Sequence, residues 1–171
     1  MRYKILAGKA TIESVEVFLQ DIDAIARSSN AAIQAVDASK VADRQHVEDA
    51  VRQSLRSFAD GRNIATNLGV ELLLHLSACR QIQKALNLGV QKGERDVLFI
   101  VVGTKTAIER STQKLNQLIV VDPHVIDYRE AKREALMQTF NITEEEVRAV
   151  GGFHRIPELV RERLTLFDAF K

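Results

Sequence analysis

The chain has 171 residues, 46% of them hydrophobic and 27% charged, with a formal net charge of +1 at pH 7. This length and composition predict one folded domain over residues 1–171 that needs neither a disulfide nor a metal ion to fold. The near-neutral charge argues against nucleic-acid binding over the whole surface, and the single cysteine, Cys79, excludes an intrachain disulfide. No apolar run is long enough to span a membrane and no signal-peptide pattern is present, so we expect a soluble, cytoplasmic protein without a membrane partner.

Strand and helix patterns alternate in the first third of the chain. Residues 3–10 predict a strand. Apolar residues then recur at helical spacing over 12–27, which predicts an amphipathic helix with Thr11 as its N-cap. Residues 31–36 are short and apolar and predict a second strand. A second helix is expected over 43–60, followed by a glycine that suits its end.

The middle of the chain contains its most apolar segments. Residues 63–76 are apolar on nearly every side, which is typical of a buried helix. A short helix over 80–88 follows. Residues 96–103 include an uninterrupted apolar run and predict a central strand that is covered on both faces. Thr106 and Glu109 form a capping-box pattern for the next helix.

Helical patterns dominate the last third. A short strand is expected at 119–121 and a charged amphipathic helix at 128–140. Thr143 and Glu146 form a second capping-box pattern, and Pro157 suits the first turn of a final helix. The predicted fold class is α/β in the broad sense, or α+β: a single domain with a small mixed or antiparallel sheet and helices packed around it.

Motifs for catalysis are nearly absent. Glycine patterns for phosphates or dinucleotides are missing, and the histidines lie far apart, so we expect no cofactor, no metal and no catalytic residue. Glu71 and His75 are four residues apart on one predicted helix and can therefore interact on one face. They are either an acid–base pair or a polar pair whose hydrogen bonds are satisfied in the core. The turn from Gly103 to Thr106 suits an anion at a helix N-terminus. A small nucleotide- or anion-binding enzyme using this turn is therefore an alternative function.

The most distinctive stretch lies between residues 62 and 85. It comprises 62–65 (RNIA), 68–77 (LGVELLLHLS), 80–82 (RQI) and Ala85. This stretch resembles the PRPK-binding (TPRKB-like, Cgi-type) accessory subunit of the KEOPS complex, and the rest of the chain resembles that family in the order of its elements. The resemblance implies a non-catalytic subunit of a complex that makes threonylcarbamoyladenosine in tRNA. Such a subunit binds and supports the PRPK/Bud-type kinase/ATPase subunit and captures the 3′ CCA end of tRNA.

Under this resemblance, the polar ends of the stretch are the expected site for a single-stranded RNA end. Its candidate residues are Arg62, Asn63, Ser77, Arg80, Gln81 and Ile82. Arginine contacts phosphates bidentately or stacks on bases, and glutamine reads a base edge. Ile82 is expected either to pack on a base or to lie in the core. A partner protein without RNA contact is a third alternative.

The carboxyl-terminal segment contains more apolar residues than one buried helix face needs. Candidates for the contact with the kinase subunit are Phe153, Ile156, Leu166 and Phe170. The alternative is that these four residues close the core.

Overall fold

The computed structural model describes all 171 residues, and the chain divides into two compact units. The first unit comprises Met1–Ala38 and Gly89–Val125, and the second comprises Ser39–Leu88 and Ile126–Lys171. That the chain forms one domain stays a prediction. None of the helices has the length and apolarity that crossing a bilayer requires.

A single sheet forms the centre of the first unit. Its strands are β1 (Arg2–Ile12), β2 (Ala32–Asp37), β3 (Gly93–Gly103) and β4 (Val120–Val121). They lie in the order β2-β3-β1-β4, and every neighbouring pair is antiparallel. The sequence did not distinguish a mixed sheet from an antiparallel one. The structure confirms an α+β fold, and its sheet is antiparallel.

Helices make up most of the remaining structure. In chain order they are α1 (Val15–Ser29), α2 (Arg44–Ala59), α3 (Leu68–Leu76), α4 (Ile82–Ala85), α5 (Lys105–Leu115), α6 (Arg133–Phe140), α7 (Glu144–Val150) and α8 (Ile156–Ala169). Short 3₁₀ turns lie at Ala38–Lys40, Leu86–Leu88, Pro123–Ile126, Glu130–Lys132 and Phe153–Arg155. Only α1 and α5 belong to the first unit; the other helices belong to the second.

The core of the first unit lies between one face of the sheet and helices α1 and α5. Phe99 on β3 stacks on Phe18 of α1 with ring centroids 6.2 Å apart. Ile108 and Leu115 of α5 belong to the same buried cluster. All six residues from 97 to 102 are at most 2% exposed, which confirms the prediction of a central strand.

The starts of α1 and α5 differ from the predictions. Thr11 does not cap α1, because β1 stays paired with β3 as far as Ile12, opposite Gly93. Ser14 is the cap instead, and its Oγ accepts the Val17 N–H at 3.3 Å. The predicted capping box at Thr106 is also wrong, since Thr104 caps α5. Strand pairing between distant segments sets where α1 begins, and a local sequence pattern does not contain that information.

Several helices of the second unit are shorter than predicted. The buried helix expected over 63–76 begins only at Leu68, where the Asn67 side chain accepts the Val70 N–H at 3.2 Å. The helix expected over 80–88 is α4 followed by a 3₁₀ turn, and the one expected over 128–140 becomes α-helical only at Arg133.

The predictions for the end of the chain are confirmed. The reciprocal capping box of Thr143 and Glu146 is formed at the start of α7. Gly151 ends that helix in the left-handed region, with φ of 105°. Pro157 lies in the first turn of α8. Helix α8 buries the predicted residues, which are Leu159, Val160, Leu164 and Phe167.

Candidate functional site

Glu71 is a buried carboxylate that joins several segments of the second unit. Its side chain is inaccessible to solvent. Oε2 accepts the backbone N–H groups of Ile64 at 2.9 Å and Ala65 at 2.8 Å. Oε1 accepts the Ser57 hydroxyl at 3.2 Å and the Lys171 ammonium at 2.9 Å. With both oxygens satisfied, Glu71 fixes the non-helical segment before α3 against the helix itself.

His75 lies one helical turn after Glu71 and is also fully buried. Its Nε2 is 2.9 Å from the Lys171 Nζ, and its Nδ1 is 3.3 Å from the Gln53 Oε1. Nε2 also lies 3.2 Å from the Glu71 Oε1. An ammonium group can only donate, so Nε2 accepts from the closer Lys171, and Nδ1 carries the proton that it donates to Gln53. Burial first, and then the Lys171 charge, lower the pKa of His75 to about 4, so the imidazole is neutral at pH 7.

The charge of Glu71 is stabilised within the same network. Burial alone raises the pKa of this carboxyl group, but hydrogen bonds from the Ala65 N–H and from Lys171 outweigh it, and the pKa is lowered overall. Glu71 is therefore ionised beside an ammonium and a neutral imidazole. Both side chains are closed to solvent and their polar atoms are satisfied, which supports a structural polar pair over an acid–base pair.

His46, which sequence reasoning did not single out, fixes the end of α3. Its Nδ1 accepts the Ala42 N–H at 3.1 Å, so the proton lies on Nε2, which donates to the Leu76 carbonyl at 2.9 Å. Burial lowers the pKa of His46 to about 4. The last carbonyls of a helix lack partners within it, so this bond satisfies one of them and positions the following turn.

The turn over 77–80 differs in part from the expected site. Ser77 is 7% exposed, and its hydroxyl donates to the Leu74 carbonyl at 3.2 Å. Its hydroxyl is therefore used at the helix end, and only a small part of the residue reaches solvent. Ala78 occupies the left-handed region at φ of 49°, and the Cys79 N–H reaches back to the Leu74 carbonyl at 3.1 Å. This backbone reversal turns the following residues toward solvent.

Arg80, Gln81 and Ile82 lie at the surface after that turn. Ile82 is 44% exposed, which excludes the alternative that it lies in the core. One Nη of Arg80 donates to the backbone carbonyl of Phe170. Arg80 thus connects the residues predicted for RNA with those predicted for the kinase.

Arg62 and Asn63 make their contacts locally. Arg62 pairs with the exposed Asp60 at 3.0 Å, and the Asn63 side chain donates to the Ala65 carbonyl at 2.9 Å. The charge of Arg62 is therefore partly neutralised, and the amide of Asn63 supports the segment that Glu71 holds.

The four residues predicted for the kinase contact separate into surface and core. Leu166 and Phe170 are 50% and 77% exposed, and Phe170 follows α8 directly with its N–H donating to the Leu166 carbonyl at 3.1 Å. Phe153 is half-buried, with the Arg133 guanidinium 4.2 Å from its ring centre. Ile156 is fully buried and closes the core where α8 begins, so it does not belong to an accessible surface.

The turn from Gly103 to Thr106 has a structural explanation. A Cβ at Gly103 would lie 3.2 Å from the Ala107 Cβ, so glycine permits close packing there. The Thr104 hydroxyl accepts the Ala107 N–H and is thereby used as a cap. No group of three or more His, Cys, Asp or Glu side chains is arranged to hold a metal ion.

Comparison with known proteins identifies one family. The model of a family described as kinase binding protein CGI-121 matches residues 12–164. No curated protein matches the chain. The matched region includes Glu71, His75 and the turn before Arg80, and it ends before Leu166 and Lys171.

We predict that the protein loses stability between pH 6.5 and about 4. His46 and His75 have a pKa of about 4 when folded against 6.5 ordinarily, so the unfolded chain binds protons in this range that the folded protein does not. The two neutral histidines each contribute roughly 3 kcal/mol to the free energy of unfolding. This contribution is complete above pH 6.5 and lost below pH 4. Urea unfolding across this range measures it.

The matched control is the exposed His154. The His75→Gln variant should show a shallower pH dependence of the unfolding free energy, and His154→Gln should retain the slope of the parent protein. An unchanged slope in both His75→Gln and His46→Gln would contradict the assignment of neutral, buried imidazoles.

We also predict that Glu71→Gln destabilises the protein by about 3 kcal/mol, because it leaves the Lys171 ammonium without its counter-charge. Glutamine keeps an oxygen for the N–H groups before α3, so the variant tests the charge more than the shape. Glu158→Gln removes an exposed carboxylate that pairs with Arg155 at 2.6 Å, and it should change stability little. Equal effects of the two substitutions in urea unfolding would contradict the central role of Glu71.

Proposed function

The chain belongs to the CGI-121 family of kinase-binding proteins, and on that premise we propose that it is the accessory subunit of a KEOPS-type complex. In this proposal it binds and supports the kinase/ATPase subunit and captures the single-stranded 3′ CCA end of tRNA. Other subunits carry out the threonylcarbamoyl modification of adenosine.

The observation that carries the proposal is a set of exposed residues next to the start of α4 and near the end of α8, joined by the contact of Arg80 with the Phe170 carbonyl. We call it the Arg80–Phe170 surface, and it consists of Arg80, Gln81, Ile82, Leu166 and Phe170. Three of its members are large apolar side chains that are 44–77% exposed. Exposed apolar groups around a cation are typical of a binding surface.

The chemistry of this surface suits an RNA end. A guanidinium group has five N–H donors, and Arg80 uses one of its nitrogens on the Phe170 carbonyl, so others remain for phosphate. Ile82 and Gln81 follow directly and offer an apolar face and an amide to an unstacked base. A footprint of a few nucleotides needs few cations, which agrees with a net charge of +1.

The kinase contact is assigned to the α8 side of the same surface. Leu166 and Phe170 form a short apolar stripe, next to an ion pair of 2.6 Å between Arg56 and Asp168. Aromatic and aliphatic groups rimmed by charges dominate the energy of many protein interfaces. The burial of Glu71 and His75 also supports an accessory role, because their chemistry is used within the fold.

We predict that replacing Leu166 and Phe170 together by alanine weakens binding to the kinase subunit by about 2 kcal/mol or more. Alanine keeps the backbone carbonyl that Arg80 contacts, so the turn should persist. The matched control is Val120→Ala, which removes an apolar side chain that is 74% exposed in the first unit. Isothermal titration with the kinase subunit of the same organism measures both, and equal affinities would exclude this stripe from the interface.

A separate prediction concerns RNA. Ile82→Ala should lower the affinity for a tRNA with an intact CCA end by roughly 1–3 kcal/mol. The melting temperature should change little, since the side chain is 44% exposed. Arg80→Glu should abolish the CCA-dependent gel shift, and Arg148→Glu, an equal charge change on the exposed face of α7, should not. Equal shifts for tRNA with and without CCA would favour a partner protein without 3′-end recognition.

A further inference from the structure

A cleft of about 570 Å³ opens beside the turn that precedes Arg80. Its walls come from the 3₁₀ turn Ala38–Lys40, the segment from Ser77 to Leu88 and the carboxyl-terminal part of α6 with the following Asn141. All of the residues that line the cleft belong to the second unit. The volume lies within the range of pockets for small ligands, roughly 300–1,000 Å³.

The lining of this cleft contains cations without carboxylates. Lys40 and Lys84 lie on it, and no aspartate or glutamate does. Several arginines elsewhere in this unit are paired with carboxylates, for example Arg56 with Asp168 and Arg163 with Glu146. Lys40 donates instead to a neutral group, the Asn87 carbonyl, and Lys84 forms no ion pair with a carboxylate. Two positive charges without counter-ions therefore face one cavity, which favours an anion.

The other polar groups of the lining favour a heterocycle. Three residues with side-chain amides, Asn87, Gln138 and Asn141, line the cleft, and an amide offers both donors and an acceptor. Amides of this kind match the edges of nucleobases, whose donors and acceptors are also mixed. Leu88 and Ala135 add an apolar part to the wall.

We propose that this cleft, bounded by Lys40 and Lys84, binds a nucleotide through its phosphate and its base. The lysines contact the phosphate and the amides contact the base edge. The same chemistry is offered by a free nucleotide and by the last nucleotide of an RNA. Since Ser77 and Cys79 of the turn before Arg80 also line the cleft, an RNA end held at the Arg80–Phe170 surface lies next to its opening. Where the bound nucleotide is the end of an RNA, the inference rests on the proposed function.

The chain contains its own reporter for this cleft. Cys79 is the single cysteine, is partly exposed and lies on the cleft wall. A nucleotide in the cleft should shield the thiol from iodoacetamide. With a probe at about ten times its Kd, mass action predicts alkylation of Cys79 about tenfold slower. The probes are AMP, adenosine, and a short RNA ending in CCA or shortened to CC, each added to the full chain.

Variants of single lysines complete the test. Lys84→Ala should raise the Kd of the protecting probe about tenfold, because a charge-assisted contact to phosphate is lost. Lys92→Ala, which removes an exposed lysine of the first unit, should leave it unchanged. Adenosine should protect less than AMP, since it lacks the phosphate.

The pattern of protection distinguishes a free nucleotide from an RNA end, or excludes the cleft as a binding site. Protection by AMP supports a free nucleotide, and protection only by RNA ending in CCA supports an RNA terminus. Equal Kd values in Lys84→Ala and Lys92→Ala would overturn the cleft. An RNA that shifts in a gel without protecting Cys79 would also overturn the cleft proposal, and it would leave the proposed function intact. A failure to bind the kinase subunit would contradict the proposed function alone.

Discussion

The ion pair between Glu71 and Lys171, buried with His75, is the constraint on which the second unit depends. A buried carboxylate without partners is very unfavourable, and here donors from three separate segments satisfy its two oxygens. The requirement to satisfy this one charge holds the segment before α3, helix α2 and the end of α8 in fixed positions. Positions that look independent in the sequence are thereby linked.

The distinctive stretch over 62–85 thus combines two physical roles. Leu72, Leu74 and Leu76 are at most 1% exposed and specify packing. Glu71 and His75, the polar residues within the helix, are also internal. Only its ends reach solvent, and His46 fixes one of them through the Leu76 carbonyl. The family resemblance is therefore carried largely by core residues, while binding depends on the few exposed residues that this core positions.

The exposed residues occupy two neighbouring regions with different chemistry. The Arg80–Phe170 surface presents apolar groups around one arginine, which suits a protein or an unstacked base. The cleft next to it is polar and carries lysines without carboxylates. The turn over 77–80 borders both regions, because its backbone reversal at Ala78 directs Cys79 to the cleft wall and Arg80 to the outer surface.

The sequence by itself determined the elements whose pattern is local and strong. Strand β3, the capping box at Thr143, the end of α7 at Gly151 and the buried face of α8 follow from apolar periodicity and from residues with special backbone preferences. The tertiary structure alone decided the start of α1, because pairing with β3 extends β1 to Ile12. It also decided that Ser77 and Ile156 are buried while Ile82 is exposed. The contact of Arg80 with Phe170, which lies 90 residues away, depends on how α8 packs. The pattern of hydrophobicity along the chain does not indicate which distant residues come into contact.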